Sequence, residues 1–233
     1  SSSLVGSEMC IRDRIYSIKK GGIKHVSSTK KPLIQIIRGI LLISCVCIGV
    51  HSFTVLGLVA AHTIIAIYPL LVLPLSYYFS NEKIGWRRWS AVFIGFFGIM
   101  VILNPISMSF DFNLIWPLIL ACLLAIYSIL TRNISAYDNS ETSFFWVAIV
   151  GGVVMTIIGP FFFELLVLKD IPWFLFLSFL STCGHFLFIK ALETAQASIL
   201  QPFIYLQLFF ASIIGILIFN DLLTLNLIFG GIL

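Results

Sequence analysis

The chain has 233 residues, 60% of them hydrophobic and only 10% charged, with a formal net charge of +4. Soluble domains carry roughly 45–50% apolar and about 25% charged residues, so this composition excludes a protein that covers a water-facing surface and requires lipid as solvent. The basic residues are split among short polar stretches rather than gathered on one face, which argues against a nucleic-acid partner.

Residues 1–14, SSSLVGSEMCIRDR, differ in character from everything after them and are similar to translated adapter sequence; a non-native tail outside the fold is expected here. Residues 15–32 hold Lys19, Lys20, Lys24, Lys30 and Lys31 with no acidic residue, which predicts a basic cytoplasmic loop. Apolar segments then run from about Leu33 to Val59, Thr63 to Phe79, Trp89 to Leu103, Leu114 to Leu130, Phe144 to Leu166, Trp173 to Leu192 and Ser198 to Phe219. An eighth begins near Leu222 and stops at Leu233, too short at about 1.5 Å per residue to cross about 30 Å of hydrocarbon. The runs lack the alternation of barrel strands, so the predicted fold is an all-α integral membrane bundle. Breakers separate the spans (Asn81 and Gly85, Asn104-Pro105, Asp138-Asn139, Asp170 and Pro172, Asn220-Asp221), and Pro69, Pro74, Pro117, Pro160 and Pro202 fall within them or at their margins.

Charge placement tests these spans independently. With residues 15–32 inside, the inside loops also hold Lys83, Arg87, Arg88, Arg132 and Lys190, and the outside loops hold only Lys169. A shift of about 135 to 139 residues lays the first three spans over the last three. It pairs Gly49–Thr63 with Gly184–Ser198 and Asn81-Glu82 with Asn220-Asp221, and the charge rule gives the two halves opposite orientation.

Arg38 to Pro105 resembles the first repeat of the EamA-like drug/metabolite transporter superfamily. The likeness is carried by Arg38-Gly39, Tyr68-Pro69-Leu70, Glu82-Lys83-Ile84-Gly85-Trp86-Arg87-Arg88-Trp89, Gly95 with Gly98, and Asn104-Pro105, and Gln201 to Asp221 looks like the matching part of the second repeat. Ser80-Asn81 departs from the Leu-Gly usual in the family. The resemblance implies ten helices in two inverted repeats, about eight of them present here. Residues 33–130 would then hold a first repeat lacking two helices, plus the first helix of the second repeat from 114. Residues 143–233 would hold the remainder, truncated in the last helix.

Polar groups in mid-span tend to face a bundle interior or a wet cavity. Ser44, Cys47, His51 and Thr54 fall within an arc of about 80° on the first span, and Ser178, Ser181, Thr182 and His185 within about 100° on the sixth. On the seventh, Ser198, Gln201, Tyr205 and Ser212 fall within about 60°, with Gln207 projecting elsewhere. Tyr68 and Tyr127 join these as candidates for a solute path; helix-packing contacts are the competing reading. Glu164 is the one carboxylate close to membrane depth, at an interface. Ala91, Gly95, Gly98, Gly151 and Gly152 suit close helix packing, and the Glu82–Trp89 loop suits an interfacial anchor. Cys10, Cys45, Cys47, Cys122 and Cys183 form no CxxC pair, and neither metal-ligand spacing nor a carboxylate cluster nor a phosphate loop is present, so no cofactor, metal or catalytic residue is predicted.

The expected function is secondary transport of a small polar metabolite, amino-acid-like or another organic solute, by alternating access in the bacterial inner membrane. The expected partners are the lipid bilayer and that solute, with a proton as one candidate coupling ion. A membrane-embedded enzyme acting on a lipid or isoprenoid through His51 or His185, and a non-transporting helical scaffold, stay open as alternatives.

Overall fold

The computed structural model describes residues 26–80, 82–103, 112–162 and 168–219. The 1–14 tail, Glu164 and the segment from Leu222 onward lie outside the described residues. Every regular element among the described residues is helical: α1 (Pro32–Leu56), α2 (Leu58–Ile65), α3 (Tyr68–Phe79), α4 (Trp86–Leu103), α5 (Ile115–Ile134), α6 (Ser140–Ile158), α7 (Ile171–Thr194) and α8 (Ala197–Phe219), with short 3-10 turns at Phe112–Leu114, Gly159–Phe162 and Leu168–Asp170. Five stretches are long and apolar enough to cross a membrane: Pro32–Leu56, Ala60–Phe79, Phe112–Ile134, Ser140–Phe161 and Leu168–Thr194. The fold is the predicted all-helical membrane bundle.

Several boundaries differ from the hydropathy reading. The first span ends at Leu56 rather than Val59, because Gly57 adopts φ +81°, a conformation that a side chain strains. The second begins before Thr63 and is broken at Ala66-Ile67. Pro69 in the first turn of α3 has no N–H to continue the α2 ladder, so the chain restarts with Leu70 N–H donating to the Ile67 carbonyl at 3.0 Å. The third starts at Trp86, which moves Arg87 and Arg88 from loop to helix. The fourth extends one turn past Leu130 to Ile134. The fifth starts at Ser140, where the Asn139 side chain accepts from the Thr142 N–H at 2.8 Å, and it gives way to a 3-10 turn at Gly159-Pro160.

The helix starts also sharpen the internal repeat. Pro32 and Leu58 open α1 and α2, and Ile171 and Ala197 open α7 and α8, a constant shift of 139 residues. The Gly49–Gly184 pairing therefore stands one turn out of register. The two helices of this repeat run antiparallel, as inverted repeats require: the start of α1 and the end of α7 both lie at the C-terminal end of α5. Lys30 N–H reaches Asp138 there at 3.1 Å, and Arg132 reaches the Leu192 carbonyl at 3.0 Å.

Helix α5 is the hub, packing against α1, α2, α3, α7 and α8. Its small residues Ala121 and Ala125 are fully buried and admit Tyr68 and Val72 of α3 together with Leu192 and Ala197 of the α7–α8 corner. On the far side, α1 meets α6 at Gly39, where a Cβ would stand 2.5 Å from Val150 Cβ, and at Gly151, 3.1 Å from Ile43 Cδ1. Gly152, expected to serve packing, faces open space, and Ala91 is exposed. The side-chain surroundings of Gly95 and Gly98 lie outside the described residues. Gly39→Ala is expected to push α1 from α6 and cost about 1–3 kcal/mol, lowering the melting temperature in detergent, whereas Gly152→Ala stays within about 0.5 kcal/mol of the parent.

Candidate functional site

A chain of polar side chains enters the bundle from the edge where Lys30, Arg88, Arg132 and Lys190 gather, here termed the basic edge. Asp138, just past α5, accepts from the Thr29 hydroxyl, from Lys30 N–H at 3.1 Å and from Gln35 Nε2 at 2.9 Å. Gln35 in turn accepts from Arg38 Nη1 through its carbonyl oxygen. Arg38 is fully buried; its Nε donates to Thr131 Oγ1 at 3.0 Å and its Nη2 approaches the Tyr127 hydroxyl at 3.5 Å. The Tyr127 hydroxyl continues to His185 Nε2 at 2.9 Å. The half-buried imidazole has Phe144 and Phe188 as ring neighbours, at 6.4 and 6.5 Å between centroids. Helix periodicity builds this path: Gln35 and Arg38 are one turn apart on α1, and Tyr127 and Thr131 one turn apart on α5.

One residue along α5, the other side of the hub carries a second polar cluster. Ser128 Oγ lies 2.6 Å from the Tyr68 hydroxyl of α3. Gln201 of α8 lies beside Tyr68, and Tyr205 follows it one turn along α8. Gln201 is 1% exposed and donates Nε2 to the Ala197 carbonyl, yet among the described residues neither its Oε1 nor the enclosed Tyr205 hydroxyl has a partner. Buried polar atoms left unmatched cost roughly 1–3 kcal/mol each, which sets these two atoms apart from the satisfied polar groups around α5.

Of the residues singled out in the sequence, Tyr68, Tyr127, His185 and Gln201 come together around α5, and Tyr205 lies one turn past Gln201 on α8. Ser44, Cys47 and His51 do not join them. They lie away from the buried face of α1, which carries Gln35, Arg38, Gly39, Cys45, Gly49 and Ser52. Ser44 returns its hydroxyl to the Ile40 carbonyl, Cys47 is exposed, and His51 stands edge-on to Trp116 at 4.9 Å. Ser181, Thr182 and Gln207 are exposed. The surroundings of Ser212 lie outside the described residues.

Sequence reasoning missed Gln35 and Asp138, and it read Glu82 as part of an interfacial anchor. Instead Glu82 is 6% exposed and caps α8: its carboxylate accepts from Ala197 N–H at 3.0 Å, Ser198 N–H at 3.2 Å and Ser198 Oγ at 2.7 Å. The free N–H groups and positive end of a helix attract a carboxylate more strongly than water at an interface does. Around this cap Arg88 donates to Gln196 and Ser198, at 2.9 and 2.8 Å. Arg132 Nη1 donates to the Leu192 and Glu193 carbonyls, with its Nε 3.8 Å from Glu82. Ser80 donates to Asn133 at 2.7 Å, and Lys190 reaches Ser140 at 3.3 Å and Glu193 at 2.7 Å. The four stretches that charge placement put on one side of the membrane are thus bonded to one another.

The sequence model of the EamA-like transporter family matches residues 13–104 and 112–233. The chain belongs to the EamA-like transporter family. The two matched blocks divide this EamA-like chain at the junction between α4 and α5, so the polar path from Arg38 to Tyr127 and the cap from Glu82 to Ala197 both cross from one repeat to the other. Relatives include the S-adenosylmethionine uptake transporter of Rickettsia bellii (strain RML369-C), 25% identical over 210 residues that make up 90% of this chain and 72% of that protein. The S-adenosylmethionine uptake transporter of Rickettsia prowazekii (strain Madrid E) is 25% identical over 219 residues, 90% of this chain and 71% of that protein. The riboflavin transporter of Vibrio cholerae serotype O1 (strain ATCC 39315 / El Tor Inaba N16961) is 30% identical over 149 residues, 60% of this chain and 47% of its own length. The protein is a multi-pass membrane protein of a transporter family.

Asp138→Ala strips three donors of their acceptor at the start of α1. It is expected to cost about 1–3 kcal/mol in thermal unfolding, with Asp138→Asn, which keeps one acceptor oxygen, costing less.

Proposed function

We propose that the protein takes up a small polar metabolite across a bacterial inner membrane by alternating access, with the basic edge on the cytoplasmic side and closed. The supporting observation is the reciprocal clamp there: Glu82 of the first repeat holds the start of α8, and Asp138 of the second holds the approach to α1. Helix α7 is held chiefly by its clamp end. The described residues Ile171–Gly184, the half of α7 remote from the clamp, are all exposed, while Ile189 and Leu192 beside it are buried. A bundle fastened at one edge through both repeats is one of the two end states that alternating access needs.

In this reading Tyr68, Tyr127, His185, Gln201 and Tyr205 form the solute site, and Ser44, Cys47, His51, Ser181, Thr182 and Gln207 are candidates for the path toward it. The relatives' solutes, S-adenosylmethionine and riboflavin, are the first to test. Both pair a flat heteroaromatic ring with a polar tail, matching a site that mixes aromatic faces with unmatched amide and hydroxyl groups. No uptake by proteoliposomes of any member of a broad metabolite panel would overturn the transport reading.

Glu82→Ala removes a charge-assisted cap worth about 1.5–3 kcal/mol, shifting the population of the cytoplasm-open state by about 10- to 100-fold. A membrane-impermeant thiol reagent applied from the cytoplasmic side should then label a cysteine introduced by Ser128→Cys correspondingly faster than in the Ser128→Cys parent. Equal labelling rates in the two proteins, with solute flux intact, would show that this clamp is not the gate.

A further inference from the structure

Among the described residues, Arg38 is a fully buried cation, 0% exposed, with no carboxylate in direct contact. Its hydrogen-bond partners are the neutral oxygens of Thr131, Gln35 and Tyr127. The nearest anion along the network, Asp138, is separated from it by Gln35 and already serves Thr29 and Lys30. A buried cation costs several kcal/mol unless an anion faces it, and a guanidinium has five N–H groups in a fork shaped for a carboxylate; only three donor contacts are made here.

The weakest of those contacts marks the side on which an anion fits. The Arg38 Nη2 to Tyr127 distance, 3.5 Å, is longer than the 3.0 Å bond to Thr131, and Tyr127 leads to the half-buried His185. Arg38 comes from the first repeat and Tyr127 and His185 from the second, so an anion entering between them would bridge the two halves at their junction.

We infer that Arg38, with Tyr127 and His185, binds a carboxylate carried by the transported solute, of the kind found on an α-amino acid or an amino-acid conjugate of a nucleoside. The carboxylate displaces the Tyr127 hydroxyl from Nη2 and takes the unused N–H groups of the guanidinium, while the hydroxyl and the imidazole close over it as neutral donors. This site rests on the transport reading for the route by which the solute arrives, but its chemistry is separable from flux.

Equilibrium binding to the full chain in detergent tests it with two pairs of probes that differ at the carboxylate: S-adenosylmethionine against its decarboxylated form, and L-methionine against L-methioninamide. At least one carboxylate-bearing probe should bind tighter than its partner. Arg38→Gln should weaken that probe by about 10- to 100-fold and leave the partner unchanged, and Arg38→Lys should recover part of the loss. Should Arg38→Gln fail to give a monodisperse protein, Tyr127→Phe keeps the guanidinium in place and should alter only the affinity for the carboxylate-bearing probe. Equal affinity within both pairs, no binding of any probe, or competition by inorganic phosphate or chloride with none by the carboxylates would overturn the inference. Carboxylate-selective binding without uptake in proteoliposomes would instead overturn the transport reading and leave this one standing.

Discussion

Two buried carboxylates, Glu82 at the start of α8 and Asp138 beside the residues that lead into α1, hold the basic edge of this bundle together. The first N–H groups of a helix have no partner within it and carry the positive end of its dipole, and near lipid they must find an acceptor in the protein or at the interface. Glu82 meets this need for α8, while Asp138 ties down the residues just ahead of α1 by accepting from the Thr29 hydroxyl, Lys30 N–H and the Gln35 amide. Each carboxylate comes from the repeat that does not own the helix it serves. The outcome is an inter-repeat fastening in which charge-assisted bonds replace the greasy contacts that join helices in water, where lipid gives no comparable driving force.

Everything polar beneath this edge follows from the same two points. Arg132 is drawn to the Leu192 and Glu193 carbonyls at the end of α7, where the helix dipole is negative, and it also neutralises the Glu82 side. On the Asp138 side, Gln35 needs a donor for its carbonyl and takes one from Arg38, which in turn engages Thr131 and Tyr127. Both branches pass through the last three turns of α5, whose Tyr127, Ser128, Thr131 and Arg132 face different neighbours in turn. Movement of α5 would therefore be felt at both fastenings.

The sequence made the broad fold legible because lipid imposes so few solutions. Long apolar runs become helices, and lysine and arginine mark one side; the structure brings the loops so marked into contact. Tyr68, Tyr127, His185, Gln201 and Tyr205 could be picked out as polar groups in mid-span. Periodicity puts Ser44, Cys47 and His51 on one stripe of α1, but it cannot say which way that stripe points; the face buried against α5 and α6 carries Arg38, Gly39 and Cys45, and of the stripe His51 touches α5 at its rim through Trp116. Gln35 and Asp138 escape the sequence reading, and Glu82 reads as an interfacial anchor, for a different reason: at the end of a span a polar residue is ordinary, and only its partner in the other repeat makes it exceptional. Gly39 was noted as half of a motif, and its packing role depends on Val150, more than a hundred residues away.

The breaks in the helices are placed where a bundle fastened at one edge would need to flex. Gly57 with its left-handed backbone and the Ala66-Ile67 interruption lie in the segment joining α1 to α3, and Ala195-Gln196 occupies the matching junction between α7 and α8. The α7–α8 junction lies within the clamp itself, bound by Arg88 through Gln196 and flanked by the carbonyls that Arg132 holds. Gly57 lies at the other end of α1, remote from any of these bonds. An inverted repeat necessarily puts equivalent joints at opposite edges, so fastening one edge locks one joint and leaves its counterpart free. On the transport mechanism proposed above, exchange of those roles, with one set of caps released as an equivalent set engages across the membrane, is the simplest motion that this symmetry allows.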